Sequence, residues 1–256
     1  MTQLLRTILL GLAAMVMAAP SVTLARGELV LVAGATGRTG KQAVLQLAAR
    51  GYKVRALVRD EGKATKAEFP AGVTVVKGDV RDIESLKAGM KGVKFVISAI
   101  GAGGGPNPTP GNGAEDIDNQ GVANLAQAAR TAKVKHLVLV SSAATTQYAD
   151  YPVPFMRPIL AAKFKGETAL RASGVPYTIV RPGGLLDEAG GKVAVEFMQG
   201  DKASGRIPRA DVATVCVEAL GRKSALGKTF EIVSGKAAWP NKWDKDFAAL
   251  AADPKP

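Results

Sequence analysis

Apolar positions between residues 28 and 233 fall into short continuous runs separated by alanine-rich amphipathic stretches. Glu28–Ala33, Lys53–Val58, Val73–Lys77, Val93–Ala99, His136–Ser142 and Tyr177–Arg181 read as strands. Most are apolar throughout rather than alternating, the pattern of strands covered on both faces by crossover helices. Helices are expected over Thr39–Arg50, Asp82–Met90, Ala114–Ala132 and Leu160–Ser173, the last two stopping before the strand entries Lys133-Val134 and Gly174-Val175-Pro176. Regular alternation of this kind predicts an α/β domain built on a doubly wound parallel sheet with helices on both faces. Beyond Arg181 the pattern loosens. Gly183-Gly184 and Gly190-Gly191 suggest a hairpin, followed by a helix over Ala210–Leu220, a strand over Lys228–Val233 and a last helix near Lys242–Ala251, together forming a small C-terminal cap.

Residues 1–25 follow a different rule. Arg6 precedes the apolar run Ile8–Ala19, and Thr23-Leu24-Ala25 is a small-x-small cleavage pattern, so a signal peptide or membrane anchor is expected ahead of one domain at 26–256. The run is short against the ~20 residues of a spanning helix, although Met1–Leu24 taken whole could serve as an uncleaved anchor. Export to a periplasm or organelle, or membrane association through residues 1–25, is the expectation; a misassigned start codon would leave the domain cytoplasmic.

With 256 residues, 47% of them hydrophobic, the chain suffices for one well-buried domain and not for a second. The net charge of +12 favours anionic partners. Its lysines are scattered, however, and aromatics make up only 5%, so the basic stripe with stacking platforms of a nucleic-acid binder is missing. The single cysteine, Cys216, lies in the apolar stretch Val212–Val217 and reads as a buried thiol. The single histidine, His136, opens the fifth strand, away from the carboxyl-end crevice where ligands of open sheets bind. No metal-ligand cluster is evident.

Chemistry concentrates where strands end. Gly34-Ala35-Thr36-Gly37-Arg38-Thr39-Gly40 joins the first strand directly to the first helix. Glycines in that setting let the backbone approach a pyrophosphate while helix N–H groups point at it. The glycine- and proline-dominated stretch Gly101–Gly113 cannot hold a helix or central strand and is expected to be a loop bordering the crevice.

The GxxGxxG spacing resembles the atypical short-chain dehydrogenases/reductases, particularly the NmrA-like and isoflavone-reductase-like NAD(P)H-binding groups with a Rossmann fold. Gly78–Asp82, Ser98–Gly101, Val140–Ser142 and Thr178–Gly183 match in the same order, so the resemblance spans about Glu28–Val233. It implies that Asp79 and Val80 hold an adenine, that Ser98, Ala99, Ile100 and Gly101 line the ribose and pyrophosphate, that Pro182 and Gly183 border a nicotinamide, and that the C-terminal cap lies on the substrate side.

An NAD-selective site needs a carboxylate at the end of the second strand, about 20 residues past the glycines. Arg59 stands there instead, with Arg38 in the glycine loop and Lys63 and Lys66 downstream, so NADP(H) is expected over NAD(H). The competing acid, Asp60, is one residue later, and a solvated Arg59 is the other reading.

Reductases of this superfamily commonly use Tyr-x-x-x-Lys, in which the lysine lowers the tyrosine pKa so that the phenol donates a proton as hydride arrives. Taking Lys163 as the lysine, with Glu167 four residues on, puts Ile159 in the tyrosine slot. Tyr148 and Tyr151 precede it without the spacing, and Tyr148 is the candidate substitute acid. Ser142 matches the serine that would bond a substrate carbonyl, with Ser141 as fallback; serine at a strand end is equally an ordinary turn former. Lys163, or Lys165, would bond ribose hydroxyls or simply be solvated. Two functions remain in view: a reductase acting on a small carbonyl, quinone-like or conjugated acceptor, and a non-catalytic NAD(P)H binder, a redox sensor or an assembly or tethering factor, that acts on a protein partner.

Overall fold

In a computed structural model, which describes residues 27–102 and 110–254, the strands assemble into one eight-stranded sheet and a two-stranded ribbon. The chain runs β1 (Leu29–Ala33), α1 (Arg38–Ala49), β2 (Lys53–Val58), α2 (Glu61–Ala67), β3 (Thr74–Lys77), α3 (Ile83–Gly89), β4 (Phe95–Ser98), a π-helical turn (Glu115–Gly121) continuing into α4 (Val122–Thr131), and β5 (His136–Val140). It continues through α5 (Arg157–Ala172), β6 (Tyr177–Pro182), β7 (Gly184–Leu186), β8 (Val193–Met198), β9 (Arg206–Pro208), α6 (Arg209–Ala219), β10 (Lys228–Ala238) and α7 (Trp243–Ala248). The large sheet has the order β3-β2-β1-β4-β5-β6-β10-β8, parallel except at the β8–β10 edge. Strand order reverses between β1 and β4, the topological switch point of a Rossmann sheet.

Both faces of the sheet are covered, which is why its strands are apolar throughout. Val30 and Val32 of β1 point into a core shared with Val44, Leu47 and Val215 of α1 and α6. Leu31 and Ala33 point the other way, into a core with Leu86, Leu125 and Leu170 of α3, α4 and α5. The period-2 alternation of a strand thus feeds two helix layers at once.

The C-terminal third is placed differently from a free-standing cap. Phe230 and Ile232 are fully buried, and β10 carries them into the main sheet parallel to β6, with β8 added antiparallel at its edge. An apolar run of that depth needs cover on both faces, and the sheet supplies it. The Gly183–Gly191 hairpin does not form; β7 pairs instead in parallel with β9, Gly184 opposite Arg206. Helix α2 is an addition to the sequence reading, and its signal is visible in retrospect: Asp60 accepts from the Lys63 backbone N–H as an N-cap.

His136 and Cys216 are both fully buried. Burial pushes the thiol up to about 12, leaving Cys216 an inert core residue. Among the described residues no helix is long and apolar enough to cross a membrane. The expected leader at 1–25 and residues 103–109 of the glycine-proline loop lie outside the described residues.

Candidate functional site

The carboxyl ends of β1, β2, β4, β5 and β6 open into two adjoining lobes meeting at Ala99, Ile100 and Gly101. The first, about 430 Å³, lies over β1–β2–β3 and is lined by Gly34, Thr36, Gly37, Arg59, Lys63, Asp79 and Val80. The second, about 380 Å³, lies over β4–β5–β6 and is lined by Arg38, Thr39, Ser142, Ile159, Lys163, Pro182 and Gly183.

The glycine loop is built for close approach. Gly34 has φ +77°, and a Cβ there would meet the Ala99 carbonyl oxygen at 2.6 Å; at Gly40 a Cβ would lie 2.1 Å from the Gly34 oxygen, so α1 could not seat against β1. No side chain caps α1, and its first turn holds no acidic residue, leaving its leading N–H groups and positive dipole end to the crevice. Backbone without side chains, facing an uncapped twelve-residue helix, fits a dinucleotide pyrophosphate.

Around the first lobe the acids are already occupied. Asp60, which also lines the lobe, caps α2 through Oδ1. Asp79 accepts from Arg81 through Nε at 3.0 and 3.1 Å and Nη2 at 2.5 Å, and this guanidinium holds its carboxyl below the usual range. Arg59 and Lys63 are exposed at the rim; Arg59 donates to Asn112 Oδ1, and the Lys63 ammonium donates to no acceptor among the described residues.

In the second lobe Lys163 Nζ donates to Asp118 Oδ1 at 2.6 Å, and Asp118 Oδ2 accepts from the Ala102 N–H at 3.1 Å. Asp118, only 2% exposed, therefore ties α5 to the segment leaving β4. Sequence reasoning passed over this residue, because an acid inside a helical stretch reads as solvated; the π-helical turn that carries it has no clear sequence signature. The two candidate serines separate cleanly. Both line the lobe, but the Ser141 hydroxyl is committed to the buried Glu167 at 2.6 Å, whereas the Ser142 hydroxyl donates to no acceptor among the described residues.

Several expected residues stand elsewhere. Arg38 faces the second lobe, where Nη1 pairs with Asp187, and does not flank Arg59. Its place on the first turn of α1 directs it toward β7 and away from β2. Tyr148 lines neither lobe; it is exposed on the loop after β5, its ring 6.2 Å from that of Phe164. Gly40 and Ser98 sit behind the lining, Gly40 seating the helix and Ser98 fully buried with a hydroxyl that has no partner among the described residues. Lys165 pairs with Glu115 at the surface, which leaves Lys163 as the lysine of the lobe. Ile159 lines that lobe one helical turn before Lys163, so the tyrosine slot is at the site and filled by an aliphatic side chain.

A switch-point crevice with a bare glycine turn under an uncapped helix defines a dinucleotide-binding Rossmann protein of the short-chain dehydrogenase/reductase type. Residues 34–223 match the NAD(P)H-binding family, and the chain belongs to it. It is similar to a chloroplastic protein of Arabidopsis thaliana, 39% identical over 86% of this chain and 81% of the relative. It is also similar to sanguinarine reductase of Eschscholzia californica, 34% identical over 86% of this chain and 94% of that enzyme. Among solved structures, a Bacillus halodurans protein assigned as an NAD-dependent epimerase/dehydratase superposes with a TM-score of 0.76 at 29% identity, covering 88% of this chain and all of that one.

Proposed function

We propose that the protein is an NADPH-dependent reductase of a small carbonyl, quinone-like or conjugated acceptor, working without the usual tyrosine acid. The observation that carries the cofactor choice is the first lobe's charge: Asp79 is paired with Arg81, and Arg59 and Lys63, at the rim where a ribose 2′-phosphate would lie, outnumber the one remaining lining acid, Asp60, which caps α2. When bound there, the nicotinamide supplies a hydride. Gly34, Gly37 and the α1 N-terminus would hold the pyrophosphate, Val80 and Asp79 would border the adenine, and Pro182 and Gly183 would wall the nicotinamide end.

Lys163, fixed by Asp118, is placed to donate to ribose hydroxyls. Ser142 would hydrogen-bond the acceptor oxygen and pass its proton to that oxygen as negative charge develops, recovering one from water. Ile159, Met156 and Leu185 keep the reacting face dry. Similarity to sanguinarine reductase supports the reductase reading.

The test is loss of NADPH absorbance across quinones, flavins and aldehydes, with dinucleotide binding measured by calorimetry. Saturable turnover is expected; tight binding with no turnover on any acceptor would instead make the protein a binder that serves a protein partner. Arg59→Glu should cost NADPH about 10- to 100-fold in affinity, as charge-assisted bonds to phosphate are lost and repulsion replaces them, and should spare NADH. An unchanged ratio of the two affinities refutes the NADPH assignment. Residues 1–25 are further proposed to export or anchor the domain, which fractionation of a tagged chain with protease protection would test.

A further inference from the structure

The second lobe carries an arginine that the reaction above does not use. Arg209 opens α6 directly after β9 and lines this lobe with Ser142, Gly183 and Leu185. Its Nε donates to Asp187 Oδ1 at 2.7 Å; among the described residues neither Nη group donates to any acceptor. The arginine side chain is only 15% exposed and Asp187 is 55% exposed, so the guanidinium is lodged in the wall and its acid stands outside.

Charge in this lobe is unevenly matched. Lys163 and Asp118 neutralise each other. Arg38 and Arg209, by contrast, share the single carboxylate of Asp187. The rest of the wall includes Met156, Ile159 and Leu185, which are apolar. A guanidinium held at Nε with its Nη fork open is oriented for a planar oxyanion, and holding it in place beforehand lowers the entropy cost of that contact.

We propose that Arg209 is a carboxylate anchor in the acceptor lobe, so that the acceptor is an apolar molecule bearing an acidic group. This rests on the reductase reading for the identity of the lobe, but its test does not use turnover. Calorimetry with 2-naphthoate and 2-naphthamide compares one apolar body with and without the charge, on protein saturated with NADP+, or on free protein should no dinucleotide bind. Naphthoate should bind at least about tenfold tighter than the amide, Arg209→Gln should erase that preference, and Arg209→Lys, which keeps the charge but not the fork, should retain only part of it.

Equal affinity of the two ligands for the wild type, or a preference that survives in Arg209→Gln, overturns the proposal. Should Arg209→Gln lack a cooperative melt, Arg209→Lys decides, an undiminished preference counting against the anchor. Neither ligand is a hydride acceptor, so the two readings fail separately. Naphthoate capture without turnover on any acceptor refutes only the reductase; turnover of neutral aldehydes without naphthoate preference refutes only the anchor.

Discussion

His136 gives a pH dependence whose sign and size can be worked out from its contacts. It is the chain's only histidine and is fully buried at the start of β5. The Gly221 N–H donates to Nδ1 at 3.1 Å, and Nε2 lies 2.9 Å from Thr178 Oγ1, whose own hydroxyl donates to the Ala225 carbonyl at 2.6 Å. With the threonine proton spent, Nε2 must be the donor, so the neutral ring is satisfied at both nitrogens and a second proton would confront the Gly221 N–H. Burial lowers the ring to about 3 from its ordinary 6.5. In the unfolded chain the imidazole takes up its proton near 6.5, and in the folded protein it does not until about 3. The unfolded state therefore binds more protons across that window, and stability falls as pH drops through it. At about 1.4 kcal/mol per unit, the loss between pH 7 and pH 5 is about 2 kcal/mol. Urea unfolding of the wild type and of His136→Gln at pH 7, 6 and 5 isolates this contribution, because every other titrating group is common to both. The wild type should lose about 2 kcal/mol more than the variant over that range; parallel profiles would refute the assignment of a neutral buried imidazole.

Arg181 is 5% exposed and faces the carboxylates of Glu167, Asp201 and Glu231; Arg181→Leu leaves Asp201 and Glu231 buried without a cation, while Glu167 keeps Arg171, and should cost about 3–5 kcal/mol in urea unfolding. Gly40→Ala drives a methyl to 2.1 Å from the Gly34 carbonyl oxygen, and calorimetry should find dinucleotide affinity lost together with a lower melting temperature. Ile159→Tyr puts a phenol in the second lobe one turn before Lys163; if proton donation limits the reaction, turnover of a neutral aldehyde should rise about 100-fold, the lower end of what a positioned general acid contributes.

The six core strands and the glycine turn were legible in the sequence because each obeys a local rule: continuous apolar runs for doubly covered strands, and glycines at a strand-helix junction. Arg59, Ser142, Pro182 and Gly183 all reach the crevice, since strand-end positions in a parallel sheet share one edge whatever the side chains do, and Lys163 reaches it from α5. What the sequence did not disclose depends on contacts far along the chain. Asp118 meets Lys163 across 45 positions, and Arg38 meets Asp187 across 149. No local pattern encodes such pairings, so Arg38 was placed beside Arg59 and Asp118 was not singled out at all. The place of β10 was hidden for the same reason: its apolar pattern is that of any covered strand, and only packing against β6 and β8 decides that it extends the sheet.

The two lobes resolve what the net charge of +12 left open. A positive total says only that anions are welcome somewhere. In the first lobe Asp79 is paired with Arg81, and Arg59 and Lys63 outnumber the remaining acid, Asp60, so the net charge at the rim is cationic. In the second, Lys163 is cancelled by a buried acid 2.6 Å away, so it acts there as a hydrogen-bond donor more than as a bare charge. The excess in that lobe is left to the two arginines that share Asp187. Specificity for an anion at either end thus follows from which acids are paired elsewhere, and removing one that is not should matter as much as removing a cation. Asp60 is the acid that remains in the first lobe, and Asp60→Asn, which keeps a capping oxygen for α2 but removes the charge, should raise NADPH affinity relative to NADH in the same calorimetric comparison; an unchanged ratio would mean that this charge does not reach the 2′-phosphate.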